Sequence, residues 1–450
     1  MSLSKKLIAL VIVLVAIGAV AWLTLRSHDP TDFASGTRVD LAEFLGTDPT
    51  GAAPSLAEAS LVARGEYLTR AADCAACHTA PAGKLFSGGL AFKLPMIGTL
   101  YSTNLTPDAE TGIGAWSEDE FVRALHEGIG KDGKHLYPAF PYAAYALMTR
   151  SDALAIKAYL FSLKPVRNTP PPNDVSFPFS QRYLMWFWNV LFKPEHRFQP
   201  NMDQSAEWNR GAYLVEALGH CGDCHTPRNI LFGLKSHQKF AGAIIQGWKA
   251  YNITPDPKWG IGAWSDAQLR SYLLHGHADG RSSASGPMAE VVDNSLRFLS
   301  QDDIGAMAIY LKSVPSRGDS GDVAAAETPS AQEQSTKEIR LGSSGDPLGL
   351  RVFEGACAGC HDFDGSGAVS INASLVGNRT VNDPAGTNAT QAILQGTHLH
   401  TALGKVFMPG FGNGYSDAEI AAVVNFVTGR FGTSASALTP DEVAKRRQEN

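Results

Sequence analysis

Cys74-Ala75-Ala76-Cys77-His78, Cys221-Gly222-Asp223-Cys224-His225 and Cys357-Ala358-Gly359-Cys360-His361 decide how this chain is read. Together they hold all six cysteines of its 450 residues. Each is a Cys-x-x-Cys pair with a histidine directly after it. Two thiols three residues apart on a helical turn reach the two vinyl groups along one edge of a porphyrin, and the next histidine points its imidazole at the iron. A redox dithiol calls for a strand–helix–strand setting, which is missing, and a zinc site needs four ligands from paired motifs. Neither requires the trailing histidine three times over. The expectation is three covalently bound haem c groups, attached at Cys74 and Cys77, Cys221 and Cys224, and Cys357 and Cys360. Their irons are expected on His78, His225 and His361. No thiol is then left for a disulfide.

The ligand on the opposite iron face follows by elimination. Electron-transfer haems of this type pair histidine with methionine, which raises the potential. Of eight methionines, Met1, Met185 and Met202 lie away from the motifs, and Met307 falls inside a helical pattern where packing is the plainer role. Met408, in Phe407-Met408-Pro409-Gly410, and Met288, in Gly286-Pro287-Met288, are the expected ligands of the third and second irons. The first iron has Met148 or Met96 to choose from. Met148 is 70 residues past His78, close to the 63 between His225 and Met288, and is expected. His126, His135, His275, His277, His398 and His400 are spare, and no spacing favours them. With three six-coordinate irons no position is open to a substrate. No nucleotide fingerprint, serine elbow or further metal cluster is present, so no catalytic residue is expected.

Around the first two motifs the chain repeats. Arg64-Gly65-Glu66-Tyr67-Leu68 is echoed by Arg210-Gly211-Ala212-Tyr213-Leu214. Asn104-Leu105-Thr106-Pro107-Asp108 leads to Gly112-Ile113-Gly114-Ala115-Trp116-Ser117. Its echo, Asn252-Ile253-Thr254-Pro255-Asp256, leads to Gly260-Ile261-Gly262-Ala263-Trp264-Ser265. Cys77 to Asn104 is 27 residues and Cys224 to Asn252 is 28. Homologous domains are expected at 55–170 and 201–315, and a shorter third at 347–432. Helical periodicity closes each, with Ser151, Ser300 and Ser416 as N-caps, and a second helix begins near Leu61, Trp208 and Leu348. Residues 171–200 form an aromatic-rich connector, read as packed between units and alternatively as an interfacial helix. Residues 316–346 read as a linker and 433–450 as a frayed tail. Trp116 and Trp264 are expected beside haem.

Composition supports this reading. Hydrophobic residues make 44% of the chain and the 44 glycines have no period, which excludes disorder and collagen. A net charge of -6 excludes the basic stripe of a nucleic-acid binder. Leu7 to Leu25 is 19 residues without a charge, preceded by Lys5 and Lys6. At about 1.5 Å per residue that matches a hydrocarbon core of about 30 Å. An uncleaved anchor over residues 1–30 is expected, with a cleaved export signal as the competing reading. Either exports the remainder. The expected fold class is all-α: three cytochrome c-like haem domains in tandem behind a transmembrane helix.

The three motifs, the doubled Asn-x-Thr-Pro-Asp element, Phe140-Pro141-Tyr142 before Met148 and Gly286-Pro287-Met288-Ala289-Glu290-Val291-Val292 carry a family resemblance. Over about residues 60–430 the chain resembles the triheme cytochrome c subunits of bacterial membrane-bound periplasmic dehydrogenases. The resemblance implies a catalytic partner subunit of flavin, pyrroloquinoline quinone or molybdenum type. It implies electron delivery to ubiquinone or the respiratory chain, and a place at the bacterial inner membrane with the haem domains in the periplasm. Many such relatives attach through a C-terminal segment, whereas this tail is short and charged. Two other functions fit the same motifs: a self-sufficient, peroxidase-like haem enzyme with one open iron, and a free-standing shuttle to a terminal oxidase.

Overall fold

The computed structural model describes residues 3–26, 29–40, 50–94, 96–318, 347–401, 404–433 and 435–448; the side chains of residues 3–10, Leu14 and Thr24 lie outside that description. Three crossed helix pairs organise it. Helix α1 (Leu61–Ala71) packs on α2 (Arg150–Ser162), α3 (Ala206–Tyr213) on α4 (Gln301–Ser313), and α5 (Pro347–Val352) on α6 (Asp417–Phe431). Each first helix leads directly to one cysteine motif. Each crossing is made at a glycine. A Cβ on Gly65 would stand 1.8 Å from the Ala155 carbonyl oxygen, one on Gly211 2.0 Å from that of Ala306, and one on Gly349 2.3 Å from that of Ala422. Backbone therefore meets backbone, and no side chain fits between.

The second helix of each pair starts on a hydroxyl cap. Ser300 accepts the Asp303 N–H and Ser416 that of Glu419. In the first unit the cap is Thr149, not Ser151, because the helix begins at Arg150; Thr149 accepts the Asp152 N–H. In the third unit Glu419 turns back to the Ser416 N–H at 2.8 Å and completes a capping box. In the first two units a tyrosine from the neighbouring unit takes that place. Tyr67 accepts the Ser300 N–H at 3.0 Å and donates to Asp303 at 2.7 Å. Tyr213 accepts the Thr149 N–H at 3.1 Å and donates to Asp152 at 2.7 Å. Each aspartate also pairs with the arginine of its own unit, Arg64 with Asp152 and Arg210 with Asp303, both at 2.7 Å. The two units are thus laced by a reciprocal pair of contacts, and one hydrophobic core runs through both. The third unit has cores of its own.

The lacing is expected to depend on pH. Burial, reinforced by Asp303, pushes the Tyr67 hydroxyl up to about 12. The folded protein therefore favours the neutral phenol. Its contribution is complete below the ordinary tyrosine value of about 10 and is lost as pH climbs toward 12. Tyr67→Phe is expected to lower stability at pH 8 by about 1.5–3 kcal/mol, the range for a hydrogen bond to a charged group. It is also expected to flatten the decline above about pH 10. Urea midpoints measured from neutral to alkaline pH check both; parallel curves for variant and parent would refute the assignment.

The all-α expectation needs correcting. Short antiparallel hairpins sit beside each helix pair: β1 (Ala91–Leu94), β2 (Gly98–Tyr101) and β3 (Asp174–Val175), then β4 (Ala243–Ile245) with β5 (Trp248–Ala250), β6 (His277–Ala278) with β7 (Ser282–Ser283), and β8 (Thr397–Thr401) with β9 (Gly404–Met408). Strands of two to five residues are too short to show alternation. The tail is also not frayed along its length. Pro440–Gln448 is a helix, held by Arg447 on Asp417 at 2.8 Å and by Arg446 on the Thr390 hydroxyl at 2.9 Å. The connector has a packed face and an exposed face. In its helix Leu184–Phe192, Asn189 and Phe192 are buried and Trp188 packs on Tyr142, while Trp186 and Phe187 are exposed. Most of the expected linker, residues 319–346, lies outside the described residues.

The N-terminal segment forms a helix over Leu3–Leu25, as its apolar run implies. The transmembrane expectation is not carried further by it: among the described residues no helix is long and apolar enough to cross a membrane. The described side chains of this helix reach only from Val11 to Leu25, about 22 Å of helix against a hydrocarbon core of about 30 Å. The start of the Leu7–Leu25 run lies outside the described side chains.

Candidate cofactor sites

Each cysteine motif is a single helical turn: Cys74–His78, Gly222–His225 with Cys221 just ahead of it, and Ala358–His361 with Cys357 just ahead. One turn brings both thiols to the same side and sets the histidine beyond them. The three histidines share one brace. The Nδ1 atoms of His78, His225 and His361 lie 2.7, 2.6 and 2.6 Å from the carbonyl oxygens of Thr103, Tyr251 and Ala373. A carbonyl only accepts, so Nδ1 carries the hydrogen and Nε2 keeps its lone pair. A histidine that ligates a metal is typically oriented by such a second bond, which fixes tautomer and ring plane. Burial pushes His78 and His361 below the ordinary histidine value, so both stay neutral and able to donate to a metal.

The doubled sequence element explains how the brace is built. Asn104 accepts the N–H and hydroxyl of Thr106 at 2.9 and 2.7 Å, and donates to the Val166 carbonyl at 2.7 Å. Asn252 repeats this with Thr254 at 2.8 and 2.7 Å and with Arg317 at 2.7 Å. Each asparagine pins the loop whose preceding residue, Thr103 or Tyr251, offers its carbonyl to the histidine. The near-constant cysteine-to-asparagine spacing is the signal for this. The third unit lacks the element and uses Ala373, at the end of the short helix Ile371–Ala373.

Burial sets five of the thiols against dithiol chemistry. Burial pushes Cys74, Cys77 and Cys221 up to about 12 and Cys224 and Cys357 up to about 11. Reactive redox thiols are depressed instead. Among the described residues no group of three or more His, Cys, Asp or Glu side chains is placed to hold a metal ion.

The second motif opens on a cavity of about 170 Å³. Cys221, Cys224 and His225 line one side of it, and Met288 lines it as well, together with Ile261, Trp264 and Met307. Met307 is thus both a core residue and a cavity wall. In the first unit Met148 is fully buried, whereas Met96 is 89% exposed, so Met148 alone of the two is inside. Met408 ends β9, opposite Thr397, and is half-buried. Three of the spare histidines make other contacts. His400 sits on Asp293 at 2.8 Å, His277 on the Ser283 hydroxyl at 2.9 Å, and His126, pushed down to about 4 chiefly by burial, bonds the Met148 backbone.

The first two motifs face one another. Cys224 lies within electrostatic reach of Cys77. The Tyr145 hydroxyl donates to the Ala72 carbonyl at 2.8 Å, and the His220 ring packs edge-on to Tyr145 with centroids 5.7 Å apart. This seam leaves no mark in the sequence, because Ala72, Tyr145 and His220 carry no motif of their own.

Comparison with known proteins gives the family. The family profile for cytochrome c matches residues 62–164 and 348–430. The gluconate 2-dehydrogenase cytochrome c subunit of Pantoea cypripedii is 39% identical over 428 residues, covering 91% of this chain and 95% of that one. The chain belongs to the dehydrogenase cytochrome c subunits. The fructose dehydrogenase cytochrome subunit of Gluconobacter japonicus is similar at 38% over 415 residues, 89% of this chain and 85% of that one. A nicotinate dehydrogenase subunit of Pseudomonas putida is 40% identical over 382 residues, 84% of this chain but only 31% of that longer protein. This cytochrome c therefore carries covalent haem and transfers electrons. Its residues fit the group: paired thiols on one turn, a histidine braced to leave Nε2 available, and an apolar cavity with a thioether in its wall.

Proposed function

We propose that this cytochrome holds three haems and relays electrons from a catalytic dehydrogenase partner to membrane ubiquinone or the respiratory chain. In this reading Cys74 and Cys77, Cys221 and Cys224, and Cys357 and Cys360 form the thioethers. His78, His225 and His361 are the braced iron ligands, and Met148, Met288 and Met408 lie opposite them. The haem supplies a one-electron couple. The protein's own residues fix the histidine tautomer, line the second unit's cavity with apolar side chains and hold the first two motifs against each other. The domains face the periplasm, anchored at the inner membrane through the helix around Leu7–Leu25.

The observation that carries the haem count is the histidine brace, which occurs at all three motifs although the third builds it from different sequence. Intact-mass measurement on the purified chain is expected to show three haem additions; two would remove the third unit from the relay. The methionines are tested by potential. Met288→Ala is expected to lower one midpoint potential and leave the other two nearly unchanged, since methionine ligation raises the potential. Three unaltered potentials would exclude Met288 as a ligand. A high-spin iron that binds carbon monoxide readily in the parent protein would instead favour the peroxidase-like alternative.

A further inference from the structure

The cavity of the second unit is not closed by the second unit alone. Arg379, Thr380 and Asn388, all from the third unit, line it beside Cys221, His225 and Met288. We propose that the third unit completes this haem site, and that Arg379 is a positioning residue whose charge sets the potential of the haem held there. The inference rests on the reading that Cys221, Cys224 and His225 attach haem.

Arg379 is only 8% exposed. Its guanidinium donates to the carbonyls of Asn252, in the doubled element of the second unit, at 3.2 Å, and of Trp259, just before Gly260. The same guanidinium lies 4.5 Å over the ring of Tyr251. Tyr251 is the residue whose carbonyl braces His225. A cation from one unit therefore backs the residue that orients the iron ligand of another. The first unit has Thr103 in the matching place, which offers no ring to stack on.

The placement is held firmly. Asn388 accepts the Lys249 N–H at 2.7 Å and donates to the Lys249 carbonyl at 2.9 Å, as a strand neighbour would. Gln391 donates to the Gly247 carbonyl at 3.2 Å. His400 contacts one carboxylate oxygen of Asp293 through its ring and the other through its backbone N–H, on the helix that carries Met288. Arg379 is thus fixed where the dielectric is low and a unit charge acts strongly. A nearby cation stabilises the form of the haem that has gained an electron, and so raises its potential. The haem's two carboxylate groups give the guanidinium a matching partner of opposite charge.

The test is a redox titration of the full chain carrying Arg379→Gln. One midpoint potential is expected to fall, the same one that Met288→Ala lowers, by about tenfold in the reduction equilibrium, which is about 59 mV for a one-electron couple. Arg379→Lys keeps the charge and is expected to recover most of the shift, which a purely structural role would not do. Should the glutamine variant fail to accumulate, Asn388→Ala loosens the same seam and is expected to move the same potential downward. Unchanged potentials, an equal fall in all three, or a lysine variant no better than glutamine would each overturn the proposal. A parent protein whose intact mass lacks haem on the peptide containing Cys221 and Cys224 would overturn the underlying haem reading instead.

Discussion

Gly211→Ala is expected to destabilise the second unit strongly and lower its urea midpoint. The added Cβ would lie 2.0 Å from the Ala306 carbonyl oxygen and 2.9 Å from the Tyr310 Cβ. The first obstacle is backbone in the middle of α4, so no side chain can swing aside. Helix α3 must move off α4, and both helices belong to the core shared with the first unit. Inserting an extra carbon into a packed core costs about 1–3 kcal/mol and occasionally more. Here the upper end applies, about 3 kcal/mol or above, against a total stability of about 5–15 kcal/mol. Gly355→Ala is the control, because nothing lies within 4 Å of its Cβ. It is expected to shift stability by no more than about 0.5 kcal/mol. Urea unfolding of both variants, followed by far-UV circular dichroism, checks the contrast. Equal midpoints would mean that the helices cross with more slack than the glycine implies.

Cys221→Ser combined with Cys224→Ser is expected to cost the chain one haem and to sever the relay. Serine nearly keeps the size of the side chain but forms no thioether, so His225 is left braced by Tyr251 with nothing covalently fixed before it. Intact mass is expected to fall by one haem, and the absorbance of reduced protein by one haem's share. The lost wave is expected to be the one that Met288→Ala and Arg379→Gln displace. Because the first and second motifs face each other through Ala72, Tyr145 and His220, electrons entering one end should no longer reach the other. Stopped-flow reduction is expected to leave a fraction of the remaining haem slow to respond. Uniform fast reduction of both remaining haems would show that the second site is not an obligatory step.

The motifs, the doubled element and the helix pairs are legible in the sequence because each leaves a local trace. A haem motif is five residues long, and a helix repeats its apolar face every three or four. What leaves no such trace is what only the tertiary structure joins. Tyr67 and Tyr213 stand in plain view within a repeated pentapeptide, yet their partners lie 236 and 61 residues away. Arg379 has no sequence signature, because its carbonyl partners are backbone and its stacking partner belongs to another unit. Gly349 carries no flag, since the third unit lacks the Arg-Gly-x-Tyr-Leu string that marks Gly65 and Gly211. Ser151 loses the cap to Thr149 because both are good caps and two residues of register separate the choices. The short hairpins have no alternation long enough to read.

The reciprocal tyrosines have an architectural consequence. Tyr67 reaches Asp303 as Tyr213 reaches Asp152, which is the self-complementary pattern of a twofold dimer, here spliced into one polypeptide. Such an isologous patch is consumed once it is paired. A third copy has nothing equivalent left to grip, and the third unit no longer carries the means: two residues beyond Gly349, where the others have tyrosine, stands Arg351, and Glu419 closes its own cap. It docks instead through the flank beside β5 and the helix of Met288, the flank where Arg379 meets Tyr251. Splicing the dimer freed its halves to differ, and the second half is the one whose cofactor cavity a third neighbour reaches into.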